Sequence, residues 1–472
     1  MTTTGPPGPA PAAARAPRRF GLAQLRDAVD DVARSSPARL ALTAFAGIIM
    51  VFTALLSLPA AREGNASPTF ADALFTAVSA VCVTGLVTVD TAEYWSAFGE
   101  AVILLGIKIG GLGILTLASL LGLAVSRRLG LRQRLIAASE TKALRLGEVG
   151  NLIRVVVIAS TSIEAVLAAI LVPRFLTLGE DVPDAVWHGV FYAVSSFNNA
   201  GFVSHPGGLP DGSVGDAWLC LPIALGVFAG SLGFPVLLTV GRSWRRPSEW
   251  NLHTRLTLTT TVILLVVGGL VLGAFEWRND ETLGTLDLAD RLLATVFMTV
   301  MPRSGGFTTL DVGQMNETTW FATDALMFVG GGSASTAGGI KVTTFAILLL
   351  AVVAEARGDN DVETNRRRVP SATLRLAVTV LLVGATVVLV ATLTLLAITG
   401  LSLDVVLFEV ISAFATCGLS TGITGTLPDE AKYVLSLVMF VGRTGTMTMA
   451  AALALRERKQ LYRLPEERPI VG

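Results

Sequence analysis

Eight apolar runs divide this 472-residue chain, at 40–59, 98–125, 152–178, 217–241, 256–275, 320–354, 374–400 and 431–455. Each has about the length a helix needs to cross a bilayer core of roughly 30 Å. No other feature restricts the fold as much, because in hydrocarbon every backbone N–H and C=O must find a partner within the protein. The composition agrees, 52% hydrophobic against 15% charged. The chain is expected to be an all-α integral membrane protein with about eight spans.

Charge orders the connections, although the formal net charge is zero. Arginine and lysine gather in alternate segments: Arg15, Arg18, Arg19, Arg26, Arg34 and Arg39; Arg127, Arg128, Arg132 and Arg134; Arg242, Arg245 and Arg246; Arg366 to Arg368; Arg456, Arg458, Lys459 and Arg463. The intervening connections carry mostly acids, among them Asp90, Glu93, Glu180, Asp181, Asp211, Asp280 and Asp429. The positive-inside rule puts the basic segments in the cytoplasm, with both termini there and an even number of crossings. The acidic fringe either raises cation concentration at an outer mouth or is ordinary polar loop. Residues 1–38, rich in Pro, Ala and Gly, read as a disordered cytosolic tail, too far from an apolar run to be a signal peptide.

Between successive spans lies a shorter apolar segment that ends in a small polar cluster around a glycine. The four endings are "AVSAVCVTGLVT", "AVSSFNNAGFVS", "TVFMTVMPRSGGFTT" and "EVISAFATCGLSTG". Aligned on the glycine, they match Val83, Thr84 and Gly85 with Asn199, Ala200 and Gly201, then with Ser304, Gly305 and Gly306, and with Thr416, Cys417 and Gly418. Leu or Phe follows each glycine, and the glycines recur every 105 to 116 residues. The unit is therefore span, re-entrant helix, polar loop, span, four times in tandem. Its bounds are 39–127, 149–243, 252–357 and 371–456, with a cytosolic C-terminal tail at 457–472. Four such units arranged pseudo-fourfold around one axis make a pore. Non-helical backbone at membrane depth survives only where protein or water satisfies it, and loops converging on an axis do so by turning carbonyls toward a dehydrated cation.

These four loops resemble the filter sequences of the Trk/Ktr/HKT superfamily of potassium transporters. The likeness continues through "KIGGLGILT" (108–116), "GSLGFPV" (230–236), "GGIK" (338–341) and "GRTGTMT" (442–448), and so covers nearly everything from residue 40 to 455. Eight spans without an extra N-terminal pair are most like the bacterial Ktr membrane subunit. The resemblance implies potassium uptake across the bacterial cytoplasmic membrane, with the twelve residues aligned above lining the ion-binding filter. It implies a homodimer seated on a ring of cytosolic nucleotide-binding regulatory subunits, and transport that in some members depends on sodium. No GxGxxG or Walker motif occurs in this chain, so nucleotide control is expected from the partner and no cofactor from the chain itself. Glycine at Gly85, where sodium-selective relatives carry serine, implies potassium, with a sodium or less selective monovalent cation transporter as the alternative.

The sixth run is interrupted by "GGGSASTAGGIK": Gly330, Gly331, Gly332, Ser333, Ala334, Ser335, Thr336, Ala337, Gly338, Gly339, Ile340 and Lys341. Interior glycines cost about 1 kcal/mol each in a helix, so this stretch is expected to be a loop below the filter. Counted from the filter glycines, the inner G-x-x-G motif comes after 25, 29 and 24 residues in units one, two and four, and after 32 in unit three. That suggests an insertion ahead of the motif in one unit alone. The resemblance implies that it is the intramembrane gate, with Arg443 projecting into the cavity beneath the filter. Lys341 either steadies the loop or reaches the cytoplasmic vestibule. A small-residue packing surface is the structural alternative.

Lys108 and Glu164, both inside apolar runs, are expected to pair, since either charge alone would be costly there. His188, His205 and His253 have no ligand spacing and are expected to be unrelated polar residues, with no transition-metal site. Cys82, Cys220 and Cys417 offer neither a CxxC nor a disulfide framework and read as small buried thiols. No constellation for catalysis is present, so the chain is not expected to be an enzyme. An organic-solute secondary transporter is the remaining class, though an inverted twofold repeat would suit it better.

Overall fold

The computed structural model describes residues 37–64, 68–128, 149–210, 212–364 and 367–454. The N-terminal tail, the C-terminal tail at 457–472, and Arg132, Arg134, Asp211, Arg366, Arg456, Arg458, Lys459 and Arg463 lie outside them.

Helices dominate, and one succession recurs. A long helix, α1 (Pro37–Leu56), is followed by a short one, α2 (Phe70–Cys82), a loop, and a second long helix, α3 (Ala97–Arg128). Next come α4 (Val149–Thr177) and α5 (Val182–Phe197), a loop, then α6 (Ala217–Leu232) and α7 (Phe234–Ser243). The third passage is α8 (Leu252–Glu276), α9 (Leu288–Val300), α10 (Glu317–Phe328) and α11 (Val342–Arg357). The last is α12 (Ser371–Thr399), α13 (Leu403–Ala415) and α14 (Asp429–Ala454). Helix α14 packs against α1, α2 and α3, so the final passage returns to the first.

Among the described residues three helices are long and apolar enough to cross a membrane: Arg154–Thr177, Leu252–Glu276 and Ser371–Thr399. The pair α6 and α7, bent by 102°, adds a fourth. The sixth apolar run is divided between α10 and α11, of 12 and 16 residues, neither of which spans alone.

Apolar side chains lie outside as well as inside. Val262, Val266 and Leu270, one face of α8, are 50%, 57% and 70% exposed, while Ser79, Ser195, Asn198, Asn199, Ser304, Ser412 and Thr416 are fully buried. An apolar exterior, with polar side chains buried at the ends of the short helices, suits hydrocarbon as the surrounding medium.

The expectation of an unbroken span at 217–241 fails. The helix stops at Gly233, whose φ of 88° lies in the left-handed region, and restarts with Pro235 in its first turn. Glycine permits that angle and proline ends the incoming hydrogen-bond ladder. Two inner helices are therefore broken, and the breaks touch. Phe234 N–H donates to the Ala334 carbonyl at 3.2 Å, and a Cβ on Gly233 would sit 2.7 Å from the Ser333 carbonyl.

Candidate ion pathway

Each short helix delivers its loop with the same backbone turn. Two residues before the glycine the chain enters the left-handed region, at Val83 (φ 57°), Asn199 (59°), Ser304 (73°) and Thr416 (46°). It re-enters at Gly85 (90°), Gly201 (68°), Gly306 (73°) and Gly418 (95°). Left-handed backbone at β-branched Val83 and Thr416 costs on the order of 1–3 kcal/mol each. Hydrogen bonds to the helix ends hold it. The N–H groups of Thr84, Ala200 and Cys417 reach back to the carbonyls of Ser79, Ser195 and Ser412 at 2.8, 2.8 and 2.9 Å, closing the ends as a Schellman motif does.

Ser79 and Ser412 act again through their side chains. Their Oγ atoms accept from the N–H groups of Gly85 and Gly418, at 3.1 Å each. Ser195 Oγ instead donates to the Phe202 carbonyl at 2.8 Å. The third loop has Val300 at this place, and its Gly305 N–H bonds the Met301 carbonyl at 2.8 Å. These serines were not singled out from the sequence, although their shared place six residues before the glycine was visible there. With these N–H groups directed into the helix ends, the loops present carbonyls to one another, the kind of oxygen that coordination of a dehydrated cation requires.

The loops meet in a closed cycle. A Cβ on Gly85 would strike the Ala200 carbonyl, and one on Gly201 would lie 3.0 Å from the Gly305 carbonyl. One on Gly306 would lie 2.6 Å from the Cys417 carbonyl, and one on Gly418 would strike the Thr84 carbonyl. Each glycine thus faces the residue before the glycine of the next loop, and the fourth faces the first.

Inner-helix glycines brace this ring from behind. Gly110, Gly230 and Gly442 lie against the carbonyls of Val81, Phe197 and Phe414, each four residues before a filter glycine. Gly338, matched to them in the sequence reading, differs: it lies against Thr416 and the Ala415 carbonyl of the fourth loop. The extra residues of the third unit therefore do not precede its motif. Gly330 comes 24 residues after Gly306, like Gly442 after Gly418, and the helix has already ended at Phe328. The insertion follows that point.

The segment 329–341 is non-helical and folded back on itself. Gly330 N–H donates to the Ile340 carbonyl at 2.8 Å and Val342 N–H to Gly331 at 3.0 Å. It docks under the loops through side chains. Thr336 Oγ1 donates to Asn199 Oδ1 at 2.8 Å, and Gly338 N–H donates to Ser304 Oγ at 3.3 Å. Ser304 Oγ in turn donates to the Thr416 carbonyl at 2.5 Å. On the α6 side, Gly332 N–H donates to the Ser231 carbonyl at 2.7 Å. Two cations hold the segment from below. Arg443 Nη1 donates to the Thr336 carbonyl, with Nε and Nη2 lacking a partner among the described residues, and Lys341 Nζ donates to the Ala337 carbonyl at 2.5 Å.

Lys108 Nζ meets Glu164 Oε2, and Glu164 Oε1 accepts from Asn198 Nδ2 at 2.8 Å, so the expected pair also touches the end of α5. Arg303 was overlooked in the sequence. It is 2% exposed, and its Nη2 donates to the Gly330 carbonyl at 2.7 Å, at the start of the inserted segment. The available signal was a charge three residues before the filter glycine, where the other loops carry Cys82, Asn198 and Ala415. Cys82, Cys220 and Cys417 are free and buried. The expectation that the histidines are unrelated is corrected for two of them, since His188 and His205 share the Glu180 carboxylate.

Comparison with known proteins gives concordant results. The family model "TrkH: Cation transport protein" matches residues 29–461. The chain is 36% identical over 452 residues to Ktr system potassium uptake protein B of Bacillus subtilis, covering 95% of this chain and 99% of that one. It is 34% identical over 455 residues to the potassium/sodium uptake protein NtpJ of Enterococcus hirae, covering 93% and 98%. The crystal structure of the potassium transporter TrkH from Vibrio parahaemolyticus shares the fold, with a TM-score of 0.68 over 86% of this chain and 84% of that chain at 19% identity.

Proposed function

The chain belongs to the TrkH family of cation transport proteins, and on that premise we propose that it carries potassium across the membrane along the axis of the four converging loops. The observation that carries this reading is the cyclic contact of Gly85, Gly201, Gly306 and Gly418 with the next loop's carbonyl. Four loops in such a cycle offer a ring of oxygens that replaces a cation's hydration shell. In this reading the four units are pseudo-fourfold and comprise eight spans. The segment 330–339 gates the path, held shut from the cytoplasmic side by Arg443 and Lys341, and both termini are cytoplasmic.

The relatives named as parts of a Ktr system favour a chain that works with other subunits, and in this reading these are a second copy of the chain and a cytosolic nucleotide-binding subunit. The likeness to a potassium/sodium uptake protein favours sodium as a second ion, coupled or carried. The test is rubidium and sodium uptake in cells lacking their own potassium systems, with and without a co-expressed regulatory subunit. Growth at low potassium and saturable rubidium uptake are expected. If neither occurs under any combination, the reading is wrong. Saturable uptake of sodium alone would replace potassium with sodium.

A further inference from the structure

Two of the three histidines that looked unrelated in sequence converge on one carboxylate beside the second filter loop. Glu180 lies in the turn after α4, His188 in the second turn of α5, and His205 four residues beyond Gly201. Glu180 Oε2 is 2.8 Å from His188 Nδ1, and Glu180 Oε1 is 2.9 Å from His205 Nε2. One ligand atom from each of the three lies within 4.8 Å of the others. Their side chains keep 19%, 19% and 15% exposure, so the site is reachable from solvent yet walled, with Phe175 stacked 5.4 Å from the His205 ring.

We propose that Glu180, His188 and His205 bind a divalent transition-metal ion of the zinc type, outside the ion pathway and independent of the transported cation. The donor set points to that class. Two imidazoles and one carboxylate suit zinc, with a fourth position left for water, whereas calcium and magnesium require mainly oxygen ligands. Bonds of about 2.0–2.1 Å in a tetrahedron separate ligand atoms by roughly 3.3 Å; the two hydrogen-bonded separations of 2.8 and 2.9 Å lie just below that value, and one ligand atom from each residue lies within 4.8 Å of the others, so small side-chain adjustments bring the three onto one ion. The surroundings also fit. Tyr192, fully buried, places its Oη 3.0 Å from His205 Nδ1. With Nε2 on the metal, Nδ1 carries the proton and donates to that oxygen, which fixes the tautomer and the ring.

The location links such a site to transport. The segment carrying His205 leaves the second filter loop through Phe202, whose carbonyl is held by Ser195, and continues to Gly207, whose N–H donates to Asp90 at 2.8 Å. A bound ion ties this exit to the first turns of α5, so zinc applied from that side is expected to slow uptake.

The test is calorimetric titration of the purified full-length chain with zinc chloride at neutral pH in potassium buffer. One ion per chain is expected, released by EDTA and not displaced by excess magnesium. His188→Gln and His205→Gln should each weaken binding at least ~100-fold, and Tyr192→Phe about tenfold or more. His188 is somewhat more exposed than His205, at 19% against 15%, so its variant serves if the His205 variant misfolds, with an unchanged gel-filtration profile as the control. No saturable binding by the wild-type chain, or equal binding by both histidine variants, overturns the site. Zinc should slow rubidium uptake by the wild type and not by His188→Gln. Equal sensitivity of the two overturns the link to the filter exit. Because binding is read directly, a chain that binds zinc but carries no rubidium would refute the transport reading and leave the site standing.

Discussion

At the scale of single residues, the four converging loops and the buried charges are held in opposite ways. Val83 and Thr416 keep a left-handed backbone that β-branched residues avoid, while Gly85 and Gly418 occupy that region freely and leave no room for a Cβ. Gly85→Ala should therefore displace the Ala200 carbonyl and lower rubidium uptake by tenfold or more, with the folded, monodisperse protein retained. Normal uptake would remove Gly85 from the pathway. Lys108 and Glu164 form a pair inside apolar helices, and breaking such a pair costs about 3–5 kcal/mol because the remaining charge stays desolvated. Lys108→Met should lower the melting temperature in detergent, and adding Glu164→Gln should restore part of the loss. If the loss in the double variant equals the sum of the two single losses, the two residues are not coupled. That pair was legible in the sequence because an isolated charge in a span demands a partner. Arg303 was not, because its meaning depends on the Gly330 carbonyl, which the chain brings beside it only after α10 has turned back.

Among the elements, composition revealed the break after α10 but not the one after α6. Five glycines in the stretch 330–339 announce a loop, whereas "GSLGFPV" offers two glycines and one proline inside a run that is otherwise mostly apolar. What bends α6 from α7 is a tertiary fit, since the Ala334 carbonyl receives the Phe234 N–H in the gap. Gly233→Ala places a side chain at a φ of 88° and against the Ser333 carbonyl, so it should destabilise the segment 330–339 as well as its own helix. Arg443→Gln is the cleaner probe. It removes a charged donor from the Thr336 carbonyl, and a hydrogen bond to a charged group is worth about 1.5–3 kcal/mol. Basal rubidium flux in proteoliposomes without a regulatory subunit should rise about tenfold or more, while the preference for potassium over sodium is kept. Unchanged or lower flux would mean that Arg443 does not hold the segment shut.

For the whole molecule, tandem glycines and alternating charge indicated four units but could not reveal their order around an axis, because that order lives in contacts between loops more than 100 residues apart. The contacts run from Gly85 to Ala200, Gly201 to Gly305, Gly306 to Cys417 and Gly418 to Thr84, so no loop is terminal. A ring without ends makes a demand that a twofold carrier does not: damage at any one loop must be felt by its neighbours on both sides. Gly85→Ala, Gly201→Ala, Gly306→Ala and Gly418→Ala should accordingly reduce rubidium uptake to a similar extent, each by about tenfold or more, since each side chain would press on a carbonyl of the following loop. Combining Gly85→Ala with Gly418→Ala should cost less than the product of the two single losses, as expected for neighbours acting on one shared element. The measurement is initial rubidium uptake at matched protein abundance. Were losses confined to two of the four variants, or were the adjacent pair strictly multiplicative, the loops would act as separate sites and the single shared axis would be wrong.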